Sequence, residues 1–284
     1  MRKSTALIIL IPLALAFYFV YVAIGWNIIV SFSDWKGLLP SYGFQGFAQY
    51  GVLFNDPTFW QSLVNNLFLF SIIPGSIGLG LLLAILLDQR VRGAGVFRTI
   101  YLLPFALSFV VTATMWAWMY DPSSGTLNTL LNSFGLGFLT SPWHTQPGTV
   151  MFAIILALMW QFSGYTMVIL LAGIKSIPLP QIQAAKIDRA SGFRLYRKVV
   201  IPQLKVPILT AFVVLMIFAL KTFDFIWVLT SGGPGYASHT MPIMLFREAF
   251  QASKFAYGAA IGNILLAVVL LIVIPYMYKF YRRR

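Results

Sequence analysis

The chain has 284 residues, of which 59% are hydrophobic and 10% charged, and its 20 Lys and Arg against 7 Asp and Glu give a formal net charge of +13. A water-soluble globule carries about a quarter charged residues, so this composition excludes an ordinary soluble domain and selects lipid as the solvent, where a helix can be apolar all round. No Cys is present, which excludes disulfides and thiolate metal sites.

In chain order, apolar runs of the roughly 20 residues that a span requires fall at 6–29, 67–87, 99–120, 149–174, 207–230 and 258–277. They predict an all-α polytopic membrane protein with six transmembrane helices, forming a single transmembrane domain over 1–284. Arg2 and Lys3 precede the first run as they would in a signal peptide, but the run is too long for an h-region and no small-residue cleavage site follows. It is read as a retained span. The second run contains Gly75, Gly78 and Gly80, which suit close helix packing rather than a phosphate loop.

The basic residues lie between the apolar runs. Arg2, Lys3, Arg90, Arg92, Arg98, Lys175, Lys186, Arg189, Arg194, Arg197, Lys198, Lys205, Lys279, Arg282, Arg283 and Arg284 fall on the side of the N-terminus. The other side holds Lys36, Arg247 and Lys254, while Lys221 lies within a span. The positive-inside rule therefore places both termini in the cytoplasm. The basic excess reads as an orientation signal facing anionic lipid, and no nucleic-acid partner is expected. The outer loops carry Trp35, Trp60 and Trp143 beside span ends, as interfacial indoles do. His144 and His239 sit far apart in these loops and read as hydrogen-bonded or solvated histidines, not metal ligands.

The longest cytoplasmic segment, 176–206, follows the fourth span. Pro178 and Pro180 stop that span and start a short amphipathic helix over 179–187, on which Ile182 and Lys186 share one face and Gln183 and Ile187 another. Ala184 and Ala185 leave room for a partner backbone. Asp188 is placed to cap a following helix near Ser191. From physics alone this segment fits a solvated basic loop on anionic lipid as well as it fits a docking element.

Ionisable groups within a span cost about 3 kcal/mol each, so Lys221 and Asp224, three apart on the fifth helix, call for a role. They read either as a polar pathway lining or as a structural ion pair. In the fourth span Gln161 and Tyr165 are four apart, beside Trp160 and Ser163. Aromatic and amide groups of this kind can hold a sugar, or can act as polar glue between helices.

At the 176–206 segment the chain resembles the permeases of binding-protein-dependent ABC importers. Their signature is Glu-Ala-Ala, a later Gly, and a closing apolar-x-apolar-Pro. Gln183, Ala184 and Ala185 stand in the triplet, Asp188 and Ala190 flank the Gly position, Tyr196 fills an aromatic position, and Val199, Ile201 and Pro202 close it. Gln183 departs from Glu and Arg189 from Gly. The stretches TSGGP at 230–234, DPSSGTLN at 121–128 and WQFSGY at 160–165 extend the similarity to the carbohydrate-importing branch, specifically the first-permease type of the maltose and glycerol-3-phosphate-like systems.

The resemblance implies a type I ABC importer permease fold in a prokaryotic inner membrane, working by alternating access. It implies a second permease subunit, a cytoplasmic ATPase dimer, an extracytoplasmic solute-binding protein and a sugar-type substrate as partners. The coupling residues it implies are Gln183, Ala184, Ala185, Asp188, Arg189 and Ala190. The substrate pathway it implies runs past Trp160, Gln161, Tyr165, Lys221, Thr222 and Asp224. ATP and Mg2+ would sit on the ATPase, and this subunit would bind no cofactor; it has no G-x-x-x-x-G-K-[ST] loop. The competing classes are an ion-coupled secondary transporter or channel, for which no inverted repeat is visible, and a membrane enzyme, for which no reaction-site cluster is visible.

Overall fold

A computed structural model describes residues 3–89, 92–188, 190 and 192–281. The described residues form helices and loops, with an isolated bridge between Ser33 and Phe44. In chain order the helices are α1 (Lys3–Ser31), α2 (Ala48–Asn55), α3 (Pro57–Leu69), α4 (Ile72–Asp88), α5 (Ala94–Ala106), α6 (Phe109–Met119), α7 (Thr126–Ser133) and α8 (Val150–Lys175). There follow α9 (Leu179–Ile187), α10 (Gly192–Leu195), a π-helical turn at Tyr196–Val200, α11 (Ile201–Gln203), α12 (Lys205–Lys221) and α13 (Asp224–Thr230). The chain ends with α14 (Met241–Phe246), a second π turn at Arg247–Gln251, and α15 (Phe255–Tyr281). Among the described residues four helical runs are long and apolar enough to cross a membrane, or six where each of two bent pairs is one span.

Helix breaks change three of the expected spans. The third, predicted as one helix over 99–120, is α5 and α6 bent by 99°. Leu107 is extended, and the Ser108 hydroxyl accepts the Val111 N–H at 3.3 Å, so a new helix is capped in the middle of an apolar run. The fifth, predicted over 207–230, breaks at Thr222 between α12 and α13. The second starts earlier than predicted, at Pro57, and turns at Phe70 and Ser71, where Pro74 lacks the N–H that would bond the Phe70 carbonyl.

The chain divides into two compact units, one of Met1–Leu63 with Thr240–Arg284 and one of Val64–His239. In the first, a polar circuit joins α1 and α15. Asn27 Nδ2 donates to Asn263 Oδ1 at 2.7 Å and to the Ala259 carbonyl at 3.1 Å. Asn263 Nδ2 donates to Ser31 Oγ and to the Tyr50 hydroxyl. Ser31 spends its single hydrogen on the Ile28 carbonyl, so Tyr50 is the donor in their 2.8 Å contact.

The second unit is built on α4 against α8. A Cβ on Gly80 would collide with Thr166 and the Met167 backbone, and one on Gly75 with the Met159 side chain, whereas Gly78 faces open space. The close approach lets Thr166 Oγ1 reach the Ser76 carbonyl at 2.7 Å. Gly164 lies so near the α5 backbone that a side chain there would strike the Tyr101 carbonyl.

Candidate translocation site and cytoplasmic loop

The break between α5 and α6 creates the most chemically pointed cavity of the second unit. Because the Val111 N–H turns to Ser108, the Leu107 carbonyl loses its helical donor. Gln161 of α8 replaces it, donating from Nε2 at 3.3 Å. Since a carbonyl can only accept, this bond fixes the amide with Oε1 turned away. Gln161 is 2% exposed, and Oε1 has no hydrogen-bond partner. A cavity of about 350 Å3 opens here, lined by Leu107, Ser108, Val110, Gln161, Asp224 and the rings of Phe105, Phe109, Phe162 and Phe218.

Asp224 reaches this cavity as the first residue of α13, where a carboxylate complements the helix dipole. Lys221 does not. It ends α12, and Thr222, extended at φ −62 and ψ 104, separates it from Asp224. The two residues expected to share one helical face therefore sit on different helices, and no ion pair joins them. Thr222 is buried and donates from Oγ1 to the Phe218 carbonyl at 2.6 Å. Tyr165 stacks on Phe105, a cavity ring, at 4.7 Å and 23°. Trp160 instead meets Trp116 edge-on at 5.6 Å.

Two loops beyond these helices are tightly hydrogen-bonded. The Asp121 carboxylate accepts from the hydroxyls and N–H groups of Ser123 and Ser124 at 2.7 to 3.0 Å. The Ser123 hydroxyl foremost, then the Ser124 groups, hold its carboxyl well below the usual carboxylate range. Trp143 Nε1 donates to Asn128 Oδ1 at 2.7 Å. At 230–234, Ser231 and Gly232 both adopt positive φ, and Thr230 Oγ1 meets Ser238 Oγ at 2.7 Å. His144 lines an open cavity beside this turn, whereas His239 is buried against Tyr236, and its carbonyl accepts from Asn65.

In the cytoplasmic segment, α9 begins after Pro178, with Pro180 in its first turn. Ile182 and Ala185, three apart, pack against a core of Leu87, Leu171, Ile174, Leu195 and Leu204. Gln183, Ala184, Lys186 and Ile187 are exposed. Ile182 and Lys186 thus do not share an environment, and of the alanine pair Ala184 alone faces outward. Asp188 ends α9 rather than capping the next helix; its N–H returns to the Ala184 carbonyl, and the Ala190 N–H to that of Ala185. Gly192 supplies the positive φ at the start of α10. Arg189 and Ser191 lie outside the described residues. Tyr196 anchors the segment by donating to Asp88 Oδ2 of α4 at 2.8 Å.

The family model for binding-protein-dependent transport system inner membrane components matches residues 76–284, which takes in both the cavity and α9. The chain belongs to this family. This permease is 59% identical to a probable ABC transporter permease of Pyrococcus horikoshii over 99% of each chain. It is 42% identical to the xylose/arabinose import permease XacH of Haloferax volcanii, over 96% of this chain and 86% of that one. It is 33% identical to the trehalose/maltose transport system permease MalF of Thermococcus litoralis, over 84% and 80%. A chain in the crystal structure of a bacterial ABC transporter involved in the import of the acidic polysaccharide alginate superposes with a TM-score of 0.81 at 21% identity, covering 99% of this chain and 96% of that one. The fold is that of a type I importer permease.

Of the residues the sequence singles out for the pathway, the structure brings Gln161 and Asp224 into one cavity, with Tyr165 behind Phe105. Leu107, Ser108 and Phe218 were not anticipated. Pro104, buried near the end of α5, is the one sequence signal that marks the break before Ser108.

Proposed function

We propose that this permease is one of two membrane subunits of an ATP-driven sugar importer, with the cavity between Gln161 and Asp224 on its translocation path. A separate cytoplasmic ATPase dimer, holding ATP and Mg2+, engages the open face of α9. An extracytoplasmic solute-binding protein delivers the sugar. The assembly sits in a prokaryotic cytoplasmic membrane with both termini of this chain inside, and alternating access carries the solute across.

The observation that carries the reading is the cavity itself. Gln161 and Asp224 line it together with Phe105, Phe109, Phe162 and Phe218. Rings cover a sugar's C–H faces while oxygens accept from its hydroxyls. The sugar relatives add the substrate class.

The test is purification of the subunit from its native membrane with its partners, followed by ATP-driven uptake in vesicles. Recovery of a second permease and an ATPase, with uptake lost on omitting ATP, is the expected result. Transport by this chain alone without ATP would sink the reading in favour of a secondary transporter. Asp224→Ala is expected to leave the complex intact and to lower uptake at least about tenfold; wild-type kinetics would remove the cavity from the path.

A further inference from the structure

We infer that the Tyr196 hydroxyl is a positioning group for energy coupling: through Asp88 it ties the segment that carries α9 to α4, so that ATP-driven movement of α9 reaches the membrane helices. This rests on α9 being the contact with the ATPase. Asp88 is the last residue of α4, and the last turn of that helix holds no basic residue. A helix C-terminus carries partial negative charge, so a carboxylate there works against the helix it ends. Its partner lies 108 positions on, where the Tyr196 hydroxyl donates to Asp88 Oδ2 at 2.8 Å. A hydrogen bond to an ionised acceptor is both stronger than a neutral one and directional.

Around this bond the contact is apolar. Leu195, Val200 and Leu204 pack with Ala84 and Leu87, and Ile182 and Ala185 bring α9 onto the same core. Apolar contact is non-directional and fixes no register; the Tyr196 bond does. The backbone is a poorer route. Residues 192–203 leave α12 at an angle of 68°. Their middle is a π turn, closed by the Ile201 N–H on the Tyr196 carbonyl, and Pro202 follows with no N–H to donate. Beyond Asp88 the path is close-packed. Gly80 of α4 sits against Thr166 and the Met167 backbone of α8, and α8 holds Gln161.

The experiment records hydrogen–deuterium exchange on the assembled importer in lipid nanodiscs, with and without MgATP and vanadate. In the wild type, residues 179–187 and the end of α4, 82–88, are both expected to change exchange rate on adding nucleotide, by about fivefold or more. Tyr196→Phe removes one hydroxyl and keeps the ring. The ATPase is expected to co-purify and 179–187 to respond as before, while the response of 82–88 is lost. Asp88→Ala is expected to match it. Asp88→Asn keeps an acceptor oxygen and is expected to retain the response.

A wild-type α4 end that ignores nucleotide while 179–187 responds overturns the inference. So does an undiminished response of 82–88 in Tyr196→Phe, including the case where exchange there rises equally with and without nucleotide, which marks a bond that only stabilises. Loss of the response in Asp88→Asn but not in Tyr196→Phe assigns the effect to charge and overturns the role of the hydroxyl. A wild-type complex that lacks an ATPase, or whose 179–187 ignores nucleotide, sinks the assignment of α9 itself and the inference with it, and is seen before any variant is made.

Discussion

Helices α1 and α8 are both long, apolar and spanning, yet they differ in what surrounds them. Of the most apolar window of α8, 67% is buried inside the chain; for α1 the share is 6%. Leu10 through Ala23 of α1 is exposed throughout, with Phe17, Tyr18, Phe19 and Tyr21 turned outward. Helix α8 instead buries Ala153, Ala157, Gln161, Ser163, Gly164, Thr166 and Gly173. Hydropathy does not separate the two, because lipid and protein interior are equally apolar. Side-chain size and hydrogen-bonding capacity do. A helix wrapped by others needs small residues where backbones approach and polar groups with partners; an open helix needs neither.

Glycine substitution is the sharpest way to break that contrast. Gly164→Ala drives a Cβ into the Tyr101 backbone, which cannot yield as a side-chain tip can. We expect loss of about 3 kcal/mol or more and failure to assemble, read as thermal unfolding in detergent. The matched change in α1, Gly25→Ala, meets nothing within 4 Å and is expected to be neutral or slightly stabilising. Equal effects would erase the distinction.

The division between covered and open faces also splits α9. Ala184→Glu places a charged side chain on the exposed face, and association with the ATPase is expected to fall while the permease melts normally. Ala185→Glu points into the core beside Ile182 and is expected to lower permease stability by about 2–4 kcal/mol. Co-purification and melting together tell the two apart; a reversed pattern would mean that α9 is turned the other way.

A milder effect is expected where α1 does touch a neighbour. Asn263→Leu strips Asn27, Ser31 and Tyr50 of a partner at once. Interhelical hydrogen bonds in membranes contribute about 0.6–2 kcal/mol each, so a loss of about 1–3 kcal/mol is expected. The smallest effect concerns pH. The Asp121 carboxyl is depressed by its serine hydrogen bonds, so its contribution is full above the ordinary aspartate value of about 4 and is lost as pH falls from there through the lowered native value. Hydrogen-exchange protection of residues 121–129 is expected to hold from pH 7 to about 4 and to decline below. Decline near pH 6 would contradict the hydrogen-bond pattern.

Hydropathy made six apolar runs legible, and the Ala-Ala segment made the family legible. The breaks were not. Ser108 is one of several hydroxyls in a largely apolar run, and where it caps a helix Gln161, 53 positions on, takes over the Leu107 carbonyl. That exchange is tertiary and leaves no local periodicity. The spacing of Lys221 and Asp224 gave the wrong neighbour for the same reason, since counting residues assumes a continuous helix and Thr222 interrupts it. Gln161 was visible as an amide in an apolar run, but which of its two ends finds a partner depended on a carbonyl that an unbroken helix would have hidden.

The circuit of Asn27, Ser31, Tyr50 and Asn263 has a consequence for how this chain can change. Each member satisfies another, so any single apolar replacement strands a polar group in a low-dielectric setting, while replacing the two asparagines together strands fewer. Mutational paths through these positions are therefore epistatic: the first step is the costly one, and the second partly restores what it took. The four residues should be inherited as a block, and a survey of descendants would find them present together or exchanged together.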